Sequence, residues 1–420
     1  MSLSVRDVLL LPRLQALRLR AGQAGEQHTV RWPYVVENES IADWVLGGEL
    51  VFVTGINQPR DEANLLQLVR DAHERRCAGL VILTGPLYIR DIPPRVLAEA
   101  DRLGVPLIEQ AYELPLVVVT EAIGTALVQA QMLGSSRQQL VEQLLDGSLA
   151  DADVLGHRAA SLDIDLSQPR QVVVVQAGGS AALYQASAPA LAETRMQSFG
   201  QRMLEQLNRA LNALGQPLPI VSQAEQWIAL LPWVAAEGES EVDASARNRA
   251  AVERLLKALN DGQTPLRVFA GLSAVCPRPT DLARGLGQAR QALMVARCLP
   301  ERLGLCCFEE LGVLELLLAI RDRNLLDRFV HATLGPLLQH DKAHHAVLTQ
   351  TLEAWTQVNG NLTAAAEQLG AHRNTLNHRM RQIQTLTGLD FDDPQHRLNI
   401  AVALMIWRLS GHTLEKRKPE

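Results

Sequence analysis

Short apolar runs alternate with amphipathic stretches through the first third of the chain. Leu50 to Gly55 and Gly79 to Gly85 each read as a continuous apolar strand ending in Thr-Gly. A helical segment from Asp61 to Cys77 lies between them, a second follows near Pro93 to Leu103, and Val105 to Ile108 returns to strand. Strands without polar alternation, separated by helices, imply a parallel sheet covered on both faces. From Thr120 to Leu149 the pattern becomes wholly helical, with Ile123, Leu127, Ala130, Leu133, Leu140 and Leu144 on one stripe. Such a connector suits either pairing with a second copy or packing on its own domain, and Gly134-Ser-Ser136 is expected to interrupt it.

A second mixed region begins with the strand Gln171 to Gln176 and continues with a helix from Leu191 to Leu214. Two short strands around a polar turn follow within Pro219 to Leu231, then the acidic loop Glu237 to Glu241 and a helix near Ala246 to Asn260. The strand Leu266 to Ser273 and a small-residue helix through Ala283 to Cys298 complete a ferredoxin-like or nucleotide-cyclase-like order. Beyond Leu311 only helical patterns remain.

The segment Val358 to Ile383 carries the most chemistry. Its first helix, capped by Asn361 or Thr363, buries Leu362, Ala365, Ala366 and Leu369 and stops at Gly370. The second helix turns Leu376, Met380 and Ile383 inward at positions i, i+4 and i+7, and Arg373, Asn374, Thr375, Asn377, His378 and Arg381 outward. Cap, turn glycine, small crossing residue and basic outer face match helix-turn-helix geometry. Arg can bridge guanine, Asn can pair with adenine, and Thr can hold a phosphate or touch a thymine methyl.

Charge sharpens this reading. The 420 residues carry a formal net charge of -6, which disfavours a surface that coats nucleic acid or anionic lipid throughout. Yet Gln368 to Leu389 holds three arginines and no acid, a focused footprint for phosphate. Aromatic residues make up only 4% of the chain, so aliphatic side chains must fill its cores. The most apolar stretch, Leu114 to Leu133, is broken by Pro115 and Glu121 and is not expected to span a membrane. No signal-peptide order is seen at Met1 to Asp7, and the odd set of five cysteines lacks C-x-x-C spacing, so a cytoplasmic protein with reduced thiols is expected.

The run Leu334 to Asp341, then Leu352-Glu-Ala-Trp355, Gly360 to Ala366, His372-Arg-Asn-Thr-Leu376, Leu386 to Asp390 and Asp393-Pro394 resembles the C-terminal domain of PucR/CdaR-type bacterial transcription regulators. The helix-turn-helix is similar to that of the Fis class. Val35 to Gly55, with Gly104 to Ile108, resembles the PucR N-terminal domain, which implies an effector-sensing module. A parallel sheet binds small molecules at the carboxyl ends of its strands, which points to Thr54, Gly55, Thr84 and Gly85, with Glu37, Asn38 and Glu39 beside that rim. Ala270 to Ser273 and Ala289 to Ala296 are similar to the degenerate GGDEF-like domain of these regulators. A cyclase needs metal-binding carboxylates and a glycine turn, whereas the hairpin here reads Ser222-Gln-Ala-Glu-Gln226, so no cyclase activity is expected.

The expected fold is therefore multidomain α/β plus α. A parallel α/β sensor domain occupies 1–130, a helical connector 131–168, a GGDEF-like α+β domain 169–310, and an all-α DNA-binding domain 311–420 with the helix-turn-helix at about 361–384. The candidate DNA-binding residues are Thr363, Arg373, Asn374, Thr375, Asn377, His378 and Arg381. Double-stranded operator DNA, an unidentified small-molecule effector and a second copy of the chain are the expected partners, with no membrane, catalytic group, metal or cofactor. His340, His344 and His345 lack a further ligand and read as a solvated helix, and the charged tail Glu415 to Glu420 as a solvated terminus. Two other readings are a nucleotide-processing enzyme regulated by its helical end, which GTP turnover would reveal, and a protein-interaction scaffold, which would show no salt-dependent DNA affinity.

Overall fold

The computed structural model describes residues 3–149, 151–186, 188–215, 217–223, 225–233, 241–261, 266–298, 304–320, 322–344 and 347–410. Ala224, Glu237, Glu239, His345 and the tail from Glu415 to Glu420 lie outside them. The chain divides into two compact units, Met1–Gln139 and Leu140–Glu420.

The first unit contains α1 (Val5–Leu9), β1 (Arg18–Ala21), β2 (Trp32–Val36), β3 (Glu49–Val53), α2 (Glu62–Glu74), β4 (Gly79–Thr84), α3 (Pro94–Leu103), β5 (Leu107–Ala111) and the start of α4 (Leu116–Asp146). Its sheet has the order β1-β5-β4-β3-β2, parallel from β2 to β5, with β1 antiparallel along the edge. Strand alternation sends Val51, Val53, Leu80 and Ile82 toward α2 and α3, and Leu50, Phe52, Val81 and Leu83 toward α1 and α4. Both faces are thus covered, which is why these strands read as unbroken apolar runs. The parallel strands are added in one direction, so their order has no reversal and no crevice of the switch-point kind.

Helix α4 runs unbroken through Gly134, Ser135 and Ser136, against the expected interruption. A helical glycine costs about 1 kcal/mol, while the buried residues Val119 and Ile123 on one stretch and Leu140, Val141, Leu144 and Leu145 on another anchor the helix in a core of each unit. Pro115 precedes its first residue and breaks nothing. By length and composition alone α4 is long and apolar enough to cross a membrane.

The second unit continues with α5 (Ala152–Ser161), β6 (Arg170–Gly178), α6 (Ser180–Ala186), α7 (Pro189–Leu214), β7 (Val221–Gln223), β8 (Gln226–Pro232), α8 (Glu241–Leu259), β9 (Arg267–Cys276), α9 (Leu282–Cys298) and β10 (Leu305–Cys307). These strands form a sheet of order β10-β9-β6-β8-β7, antiparallel except for the β9–β10 pair. Val173 and Val175 of β6 pack toward α7 and α8, and Val172 and Val174 toward α5, α9 and the end of α4. The strand, helix, hairpin, helix, strand, helix order is present, with α6 and the short β10 added to it.

The chain ends in α10 (Val313–Ala319), α11 (Arg323–His344), α12 (Leu348–Gln357), α13 (Leu362–Gln368), α14 (Arg373–Thr387) and α15 (Pro394–Leu409). Their shared core includes Leu334, Leu352, Ala365, Leu376, Ile383 and Ile400. Asp341 caps α12, accepting from the Leu348 and Thr349 amides at 3.1 and 2.7 Å. His340 is no solvated surface residue: its side chain is 17% exposed, stacks on His344 at 4.4 Å and bonds Gln382 at 3.2 Å.

Candidate nucleic-acid interface

The helix-turn-helix is built by its caps and its small residues. The Asn361 side chain accepts from the Thr363 and Ala364 amides at 3.0 and 3.2 Å, which assigns the cap of α13 to Asn361 and leaves Thr363 exposed at its start. Ala365 and Ala366 are buried, so α12 and α14 both approach α13 closely. Gly370 takes φ 60 in the turn, a left-handed conformation that glycine adopts without steric cost. His372 then caps α14, its Nδ1 accepting from the Asn374 amide at 3.2 Å, a role the sequence reading missed. Gly388 closes α14 with φ 70, its amide donating to the Gln384 carbonyl at 2.8 Å.

Leu376, Met380 and Ile383 are buried at the expected spacing. Burying that stripe fixes the opposite face: Arg373, Asn374, Thr375, His378 and Arg381 are exposed and Asn377 half-buried. Arg379 differs, because its Nη1 turns toward Thr351 Oγ1 at 3.5 Å, so two of the three arginines in this window reach the outer face. Glu367, on the preceding helix, and Asp390, just after α14, are the exposed acids that flank it. The surface that results is a helix with cationic, amide and hydroxyl groups aimed at solvent and no acid of its own, the chemistry that groove edges and phosphates require.

The central hairpin presents one carboxylate, Glu225, beside the amides of Gln223 and Gln226. Arg290 donates to Gln226 Oε1 at 3.1 Å and Gln223 Oε1 at 3.2 Å, and Arg297 donates to Gln176 Oε1 at 3.3 Å. Guanidinium groups already occupy these amide oxygens, and amides bind a divalent cation less strongly than carboxylates do.

In the first unit, Thr54, Gly55, Thr84 and Gly85 end the adjacent strands β3 and β4, and Glu37 to Glu39 follow the end of β2. Thr84 Oγ1 donates to Glu109 at 2.9 Å and Thr54 Oγ1 accepts from the Ile56 amide at 3.3 Å, so both hydroxyls already have local partners. Glu37 and Asn38 are exposed. Glu39 joins a group that sequence spacing did not reveal: its side chain accepts from Gln58 at 3.2 Å and its carbonyl from Asn64 at 2.8 Å. Arg60 bonds Asn64 Oδ1 at 2.8 Å and the Val36 carbonyl at 3.4 Å, while its buried Nε has no hydrogen-bond partner among the described residues. Burial lowers the pKa of Arg60, and the nearby Glu39 charge opposes that shift. At the opposite, amino end of the sheet, a cleft of about 970 Å³ is lined by Arg31, Arg75 and Arg76 among others.

Residues 7–127 match the purine catabolism regulatory protein-like family, 146–295 a GGDEF-like domain, and 348–406 the PucR C-terminal helix-turn-helix domain. The chain is 29% identical over 277 residues, 64% of its length, to the carbohydrate diacid regulator of Escherichia coli, covering 65% of that protein. It is 29% identical over 120 residues, 29% of its length, to the purine catabolism regulatory protein of Bacillus subtilis, covering 22% of that protein. It thus spans less than two thirds of either relative. A solved regulator of polyketide synthase expression from Bifidobacterium adolescentis is similar over 66% of this chain and 99% of its own at 16% identity, with a TM-score of 0.28 that supports no argument about arrangement. The chain thus carries a PucR-like N-terminal domain, a GGDEF-like domain and a PucR C-terminal helix-turn-helix domain, in this order.

Proposed function

We propose that the chain is a sequence-specific DNA-binding transcription regulator that responds to a small metabolite and controls catabolic genes in the bacterial cytoplasm. The observation that carries this reading is the outer face of α14, where Arg373, Asn374, Thr375, His378 and Arg381 are exposed on a helix seated by Leu376, Met380 and Ile383. Arg373, Asn374 and Asn377 are assigned to base edges, and Thr363, Thr375, His378 and Arg381 to phosphates or neighbouring bases. The printed names of the relatives, which concern carbohydrate diacids and purine catabolism, favour catabolic control. One helix-turn-helix covers few base pairs, so two copies on two half-sites are required. Exposed Val128 and Met132 of α4 offer an apolar stripe for that pairing.

Residues 1–130 are assigned to sensing, 131–168 to the connector, 169–310 to transmission and 311–420 to DNA. The effector site is placed at the carboxyl rim formed by Glu37, Asn38, Glu39, Thr54, Gly55, Thr84 and Gly85, with Arg60 beside it. The bonds from Arg290 and Arg297 to neutral amides support transmission rather than catalysis in the central domain.

Selection of bound duplexes from a random-sequence pool tests the reading. The wild-type chain should enrich a two-fold symmetric sequence, and Arg373→Ala and Asn374→Ala should weaken the enrichment while retaining the fold. No enrichment by the wild type, or unchanged enrichment by both variants, overturns it. Turnover of GTP with Mg²⁺ would overturn the assignment of the central domain.

A further inference from the structure

A cleft of about 660 Å³ opens behind the helix-turn-helix, between α10, the C-terminal half of α12 and one face of α15. Its size lies within the range of about 300–1,000 Å³ usual for small-molecule sites. Leu314, Trp355, Leu398 and Met405 contribute to its walls. Leu398 is 57% and Met405 40% exposed, so this concave surface keeps apolar area in water. Deeper in the cleft, Glu353 and Arg408 form an ion pair with side chains only 12% and 20% exposed, which supplies a polar floor whose charges are mutually satisfied.

Arg397 also lines the cleft, and its charge is not matched in the same way. Its guanidinium donates to the Asn359 carbonyl at 3.2 Å and lies 5.6 Å from the centre of the Trp355 ring. Among the described residues no carboxylate pairs with it. The chain preserves this arrangement by placing glycine at 360, where a β-carbon would come within 3.3 Å of both Arg397 Nη2 and the Trp355 ring. A cation held over an indole, beside exposed aliphatic side chains and inside a cleft, matches a ligand with one acidic end and one apolar end.

We propose that this cleft binds a small organic acid with an aryl or alkyl body, its carboxylate on Arg397 and its apolar body against Trp355, Leu398 and Met405. Binding there reaches the DNA-reading helices directly. Asn359 and Gly360 both have positive φ, 53 and 86, and lead straight into Asn361, the cap of α13. A carboxylate that engages Arg397 Nη2 competes with the Asn359 carbonyl for that donor, and so acts on the turn that sets the start of α13. The regulatory consequence rests on the DNA-binding reading; the binding step does not.

Calorimetric titration of the full chain with phenylalkanoates of increasing chain length, and with their neutral amides, tests the binding step in the absence of DNA. One saturable site per chain is expected for the acids, with the matching amides at least about tenfold weaker, since a hydrogen bond to a charged group contributes about 1.5 kcal/mol or more. Arg397→Gln should weaken the acids by a similar factor while the chain keeps a single cooperative unfolding transition for its C-terminal helices, and Met405→Gln should weaken acids and amides alike. No saturable binding by any member of the series, or equal affinity in Arg397→Gln, overturns the proposal. Self-association of the chain that Leu398→Asp abolishes and Arg397→Gln preserves would assign the cleft to a protein contact and overturn it as well.

Discussion

Gly271→Ala is expected to be among the most damaging single-methyl changes in the second unit. Gly271 lies in β9 with α9 directly above it, and a β-carbon there would sit 2.1 Å from the Ala289 carbonyl oxygen and 2.3 Å from the Leu293 amide nitrogen. Both obstacles are backbone, so no rotamer change relieves them. Restoring ordinary contact at 3.4 Å requires α9 to retreat by about 1.3 Å. A gap of ~0.5–1 Å already forfeits a quarter to a half of the dispersion energy of the atoms that separate. Ala289, Ala292 and Leu293 are at most 2% exposed and would all lose contact. Overpacking costs about 1–3 kcal/mol in most cores, and with rigid backbone on both sides the upper end applies. At roughly 2–4 °C per kcal/mol for a unit of this size, the melting temperature should fall by about 6–12 °C. Gly287→Ala in the same helix is the control, because a β-carbon there meets nothing within 4 Å. It should be neutral or stabilising by up to about 1 kcal/mol through helix propensity. Scanning calorimetry of both variants checks the argument, and a Gly271→Ala transition within about a degree of wild type would refute it.

Three further outcomes are expected. Leu376→Ala should destabilise the C-terminal helices by about 2–5 kcal/mol, because Leu376 is fully buried, whereas Arg373→Ala, at an exposed position, should stay within ~0.5 kcal/mol in the same denaturant titration. Asn361→Ala removes both capping bonds of α13 and should cost about 1 kcal/mol, with weaker DNA binding in proportion to the frayed start of that helix. Burial pushes the Cys77 and Cys307 thiols up to about 12, so at pH 8 only about one molecule in ten thousand carries either thiolate. Both should resist iodoacetamide in the native chain and react after denaturation, and rapid native labelling of either would contradict their placement.

The elements legible in the sequence are those whose burial is written into a repeating pattern. β3 and β4 are apolar throughout because both faces of their sheet are covered, and α14 declares itself through Leu376, Met380 and Ile383. The edge strands were not legible: β1 reads Arg-Leu-Arg-Ala, and β2 opens with Trp32-Pro33, where proline suits only an edge. The continuity of α4 was misjudged at Gly134 to Ser136, where tertiary packing on either side outweighs local propensity. On the outer face of α14, the exposed set followed from periodicity alone. The inward turn of Arg379 and the capping role of His372 depend on Thr351 and on backbone geometry, which spacing does not encode. The Arg60, Asn64 and Glu39 group and the Arg397 cleft each join residues from separate elements, so only the fold brings them together.

The most direct test of the central claim is the salt dependence of DNA affinity, measured by fluorescence anisotropy with the full chain and its selected duplex. Wild type should bind this duplex about a thousandfold or more tighter than a scrambled one, with affinity falling steeply as salt rises. Arg381→Ala should reduce the salt slope by about one on both duplexes, as loss of a phosphate contact does, while Arg373→Ala should remove about 1–3 kcal/mol of preference for the selected sequence. Equal affinity of the wild type for both duplexes, or a preference undiminished in both Arg373→Ala and Asn374→Ala, would contradict the claim that α14 reads DNA.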